Sequence, residues 1–116
     1  MAKQNLEGAP KMLAGGVTQA QLDAWKAKHG EVHIISVEVS KDDKAVGYYR
    51  KPDRDVLANV VNKATDGLMF EAREFLAQNT WLGGDKRHQT NDDVAIPAQT
   101  RLYASLNFLK AEAAKY

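Results

Sequence analysis

Cysteine is absent from the 116 residues, which excludes a disulfide framework, a thiolate nucleophile and a thiolate metal site. Stability must come from packing. Long apolar runs are missing too. No stretch approaches the ~20 residues that cross a bilayer, and the segment from Met12 to Val17 is too short and Gly-rich for a signal-peptide core, so neither export nor insertion is expected. Neither charge sign dominates. Sixteen Lys plus Arg stand against fifteen Asp plus Glu, with both signs mixed along the chain, whereas a nucleic-acid binder normally carries a basic stripe. What is present is ordinary for a globular protein, with 44% hydrophobic and 27% charged residues. The length suits one domain.

Residues 1–16 have no sustained period and contain Gly8, Pro10, Gly15 and Gly16, which predicts a flexible N-terminal arm ahead of a single domain over 17–116. Thr18 and Gln21 then form a capping-box signature with Val17 positioned to staple on Leu22, predicting a helix over 19–29 that Gly30 stops. From Val32 the period changes to two. His33, Ile35, Val37 and Val39 share one face, turn formers follow at 40–44, and a second β-prone run ends near Arg50, so residues 32–50 read as a hairpin. Two strands alone are marginal, and helices must cover them.

Asp53, after Pro52, is a good N-cap for a helix over 54–64 in which Val56, Leu57, Val60, Val61 and Ala64 recur on one face. Thr65, Asp66 and Gly67 break it, and Leu68, Met69, Ala72, Phe75 and Leu76 give a third helix over 68–78 packed on the second. Residues 79–93 read as a long polar loop. Pro97 argues for a last helix that becomes regular only there, over 97–115, with a stripe of Ala98, Leu102, Leu106, Leu109 and Ala113. The expected fold class is α+β, one β-hairpin packed against about four α-helices. Its expected core is Leu22, Trp25, Ile35, Val37, Leu57, Val60, Val61, Leu68, Phe75, Leu76, Leu102 and Leu106.

No catalytic set emerges. His29 and His33 are four apart but straddle Gly30 and a change of period, so they share no helical face for a metal. The pairs Asp42 with Asp43 and Asp92 with Asp93 fall at a turn and a helix start, where Asp bonds backbone amides. No nucleophile elbow is present, and the run Gly83, Gly84, Asp85, Lys86 lacks the spacing of a phosphate loop. Neither cofactor nor metal is expected. Arg50, Lys51 and Arg54 lie beside Tyr48 and Tyr49, an arrangement that can hold single-stranded nucleic acid, but Asp53 and Asp55 interleave and cancel much of the field. An ion-paired junction is the simpler reading. Trp81, beside two glycines in the expected loop, is either a core pin or a side chain displayed to a partner.

The motif Trp25-Lys26-Ala27-Lys28-His29-Gly30, then Gly47-Tyr48-Tyr49-Arg50-Lys51-Pro52-Asp53-Arg54, then Asn79-Thr80-Trp81-Leu82-Gly83-Gly84-Asp85 resembles, in order and wording, small tail assembly chaperones of long-tailed bacteriophages and prophages. The group in question comprises short proteins from phages of Bacteroidetes-type hosts, and the resemblance covers roughly residues 22–109. It implies a non-enzymatic protein of the bacterial cytoplasm that keeps the tape-measure protein soluble while tail-tube protein polymerises around it. Partner contacts are then expected at Trp81, Leu82, Gly83, Gly84 and Asp85 and at Arg50, Lys51 and Arg54, with self-association compatible. The alternatives are a structural or adaptor protein of the virion and a small nucleic-acid-binding domain, and an enzyme ranks behind the adaptor because no convergent acid, base, nucleophile or metal set is found.

Overall fold

The computed structural model describes residues 11–106 and 113–114. Helix α1 (Gln19–His29) starts at Thr18, whose side chain accepts from the Gln21 amide while Gln21 accepts from the Thr18 amide, and ends at Gly30 with φ 80°. That is the capping box and glycine stop expected. Strands β1 (Val32–Ser40) and β2 (Asp43–Arg50) pair antiparallel, Ile35 opposite Gly47 and Val37 opposite Ala45, with an irregularity between Glu38 and Ser40. Past that irregularity Val39 is left exposed instead of continuing the apolar face.

Helix α2 (Arg54–Thr65) is capped by Asp53, which accepts from the Val56 amide, and a turn with Gly67 at φ 81° leads into α3 (Met69–Thr80), which packs on it. The expected loop at 79–93 is instead regular for much of its length. Thr80 closes α3, Trp81–Gly84 form strand β3, Arg87–Thr90 form a short helix α4, and Asp92–Ala104 form α5. β3 pairs antiparallel with β2, so the hairpin becomes a three-stranded sheet in the order β1-β2-β3. A four-residue strand carries too little alternation to be seen in sequence, and its partner strand decides its conformation.

The last helix begins at Asp92, before Pro97, because Asn91 caps it through the Asp93 amide and Pro97 lies on its exposed side. One missing amide in the second turn is tolerated when the ring meets only water. The helix stops at Ala104 with Ser105 bonding back to Leu102. Ala113 and Ala114 are exposed and without regular structure, and Leu109 lies outside the described residues. Residues 1–10 lie outside the described residues, but Leu13 packs against the sheet, Ala14–Gly16 form a 3-10 turn, and the Tyr48 hydroxyl donates to the Ala14 carbonyl at 2.8 Å.

The fold is α+β, with the sheet covered on both sides. One face sends Ile35, Val37 and Tyr49 against Val56, Val60, Leu76 and Leu102 of the helices. The other sends Val46 and Tyr48 against Val17, Leu22 and Trp25. Three expected core residues fall outside: Val61 is 46% and Leu68 44% exposed, and Leu57 is only half-buried and joins neither cluster. The apolar stripe of α2 is wider than the surface α3 and the sheet cover, and Leu68 ends up just before α3 instead of inside it.

Candidate functional site

The residues singled out in sequence gather around β2. Tyr49 pairs with Trp81 across the ladder, and their rings meet edge-on with centroids 5.3 Å apart. His88 completes the group, its ring 5.9 Å from Tyr49 and 5.7 Å from Trp81. Gly47 makes the arrangement possible. A Cβ there would stand 2.6 Å from His88 Nδ1 and 2.8 Å from Trp81 Cζ3, so both rings occupy space that any other residue would fill.

His88 is buried, and both ring nitrogens are engaged. Nε2 lies 2.9 Å from the Ala45 carbonyl, which can only accept, so Nε2 carries the proton. Nδ1 then accepts from the Tyr49 hydroxyl at 2.8 Å. Burial pushes the Tyr49 phenol far above its ordinary value, keeping it a donor. The pair holds α4 against β2, and neither nitrogen is left for a metal or for proton transfer. Sequence reading missed His88 in this role, since one histidine in a polar stretch gives no pattern. The small residues Ala45 and Gly47 opposite it were the only available signal.

Asp85 is tied by Arg87, whose guanidinium also donates to both oxygens of Asp43 at 2.8 and 2.9 Å. The guanidinium holds both carboxyls below their ordinary values. This clamp fastens the start of α4 to the first residue of β2. Gly84, at φ 123°, lies so close to the Val46 carbonyl that a Cβ would approach it to 2.6 Å, and Gly83 lies beneath the Trp25 indole. Leu82 packs with Tyr48 on that same side.

The basic cluster divides. Arg50 donates to the Asn79 carbonyl at the end of α3 at 2.8 Å and pairs with Asp53 at 3.7 Å, whereas Lys51 and Arg54 are exposed. Arg50 is therefore part of the junction, and placing a cation on final carbonyls of a helix is favourable.

A cavity of about 240 Å³ opens beside the aromatic group, lined by Tyr49, Trp81 and His88 together with Glu74 of α3 and Asp92 and Gln99 of α5. Trp81 is half-buried, at once packed against the core and forming a wall of this cavity. Among the described residues no group of three or more His, Asp or Glu side chains is placed to hold a metal ion, and no helix is long and apolar enough to cross a membrane. No protein-family model, curated protein or solved structure matches this chain.

Proposed function

We propose that this protein is a non-enzymatic tail assembly chaperone of a long-tailed phage, binding the tape-measure protein and tail-tube subunits during tail morphogenesis in the host cytoplasm. The reading rests on the resemblance of three separated motifs, and one observation supports it: those motifs interlock around a single strand. Trp25 of the first lies against Tyr48 of the second, ring centroids 5.8 Å apart, and over Gly83 of the third, while Gly47 admits Trp81 and Arg50 holds the carbonyl of Asn79. Segments distant in sequence that fit one another in this way commit their side chains to packing, which suits a scaffold that works through its surface.

Client contacts then fall to what the scaffold leaves outside. Val61, Leu68 and Phe70, at or near the α2–α3 turn, are each more than two-fifths exposed, and Lys51 and Arg54 are exposed at the strand-to-helix junction. Exposed apolar side chains towards one end of α2 and exposed charge at the other suit repeated weak contacts on a long helical client, where avidity replaces affinity at any one site. Mass spectrometry of purified phage particles and of the infected lysate tests this. A chaperone is present in the lysate in complex with the tape-measure protein and missing from particles, whereas a fixed copy number in particles would assign the adaptor role instead.

A further inference from the structure

We propose that the cavity between α3, β3 and α5 receives the guanidinium of an arginine on a partner protein. Its lining carries two carboxylates, Glu74 and Asp92, and no lysine or arginine. Neither carboxylate takes part in any ion pair among the described residues. Gln99 lines the same cavity, is nine-tenths buried, and keeps its Oε1 without a hydrogen-bond partner. A buried acceptor of this kind calls for a donor, and a guanidinium offers five. The half-buried Trp81 supplies an aromatic wall, and aromatic rings attract cations. His88 adds no competing demand, because the Tyr49 hydroxyl and the Ala45 carbonyl already satisfy its ring.

Size and shape narrow the occupant. About 240 Å³ is below the roughly 300–1,000 Å³ of small-molecule sites and suits one long side chain. Acceptors on two helices favour a planar fork that spreads its donors and lies flat on an indole, over the compact ammonium of lysine. The inference does not depend on the tail-assembly reading, since it specifies the chemistry of a partner residue and not the partner's identity.

Titration of the full chain with N-acetyl-arginine N-methylamide, and in parallel with its uncharged citrulline isostere, tests the site by NMR at the Trp81 indole N–H and the Gln99 side-chain amide. The arginine probe should shift both signals saturably and the isostere should not. The combined substitution Glu74→Gln and Asp92→Asn, which keeps shape and leaves the melting temperature close to wild type, should weaken binding at least tenfold, and added salt should weaken it in wild type only. Equal shifts from the isostere, no saturation, or binding indifferent to the double substitution would overturn the proposal. Capture of the tape-measure protein is read separately, so a chain that captures this client but ignores the arginine probe refutes the pocket alone.

Discussion

On one face of the sheet, Ile35, Val37 and Tyr49 meet side chains from α2, α3 and α5, and Val60, Leu76 and Leu102 at that contact have almost no solvent exposure. On the other face, Val46 and Tyr48 meet a single helix, of which Leu22 is buried and Trp25 half-buried, and the remaining cover comes from Val17, Leu13 and the turn at Ala14. The first face is closed by aliphatic volume from several elements. The second depends on aromatic overlap and on a short segment tied down by one hydroxyl. Stability should therefore reside on the helical face, while the α1 face opens at lower free energy.

The widest separation is expected from core truncation. Leu76→Ala should cost toward the upper part of the roughly 2–5 kcal/mol range for buried leucines, and Leu22→Ala toward the lower part, because residues beside a thin cover can collapse into the space. Equal shifts of the urea midpoint in the two variants would erase the asymmetry. The glycines sharpen it next. Gly47→Ala should lose about 1–3 kcal/mol, since the new methyl meets a histidine ring fixed by two hydrogen bonds. Gly83→Ala meets only the far edge of the Trp25 indole, at 3.0 Å, and should cost less in thermal melts.

A matched pair of hydroxyl deletions follows. Tyr49→Phe leaves Nδ1 of buried His88 without its donor, for about 1–3 kcal/mol, whereas Tyr48→Phe frees the carbonyl of an exposed Ala14 that water can reach, for about 0.5–1.5 kcal/mol. Chemical denaturation of both variants tests the ordering. The smallest effect concerns pH. Asp43 and Asp85 sit below their ordinary value of 3.8 because of Arg87, so the clamp's contribution is complete above about pH 4 and is lost as acid carries the pH through the lowered folded-state values. Wild type should lose stability more steeply than Arg87→Gln in that acid range, and parallel curves would show that the exposed clamp contributes nothing.

The local signals were legible because their causes are local. Thr18 with Gln21, Gly30 and Asp53 each satisfy or terminate their own helix, and Ile35 and Val37 alternate within their own strand. What escaped reading is tertiary. Trp81-Leu82-Gly83-Gly84 has the composition of a loop and becomes a strand because β2 offers it a partner and Gly47 offers its tryptophan a place. Val61 and Leu68 match a core by spacing alone, and only the limited area of the neighbouring elements leaves them outside. The cavity beside Trp81 was equally hidden, since Glu74, Asp92 and Gln99 come from two helices whose packing no single segment encodes.

The role proposed for this interlocked scaffold is to hold a client in solution. Co-expression of the full chain with a tape-measure protein from the same genome, followed by measurement of that client's soluble fraction and of what co-purifies with it, tests the proposed role most directly. The expected result is a tape-measure protein that is insoluble alone, soluble with this chain, and bound to several copies of it, with the effect reduced when Val61, Leu68 and Phe70 are replaced by Ser. A client whose solubility is unchanged, or that dissolves without retaining the chain, would contradict it.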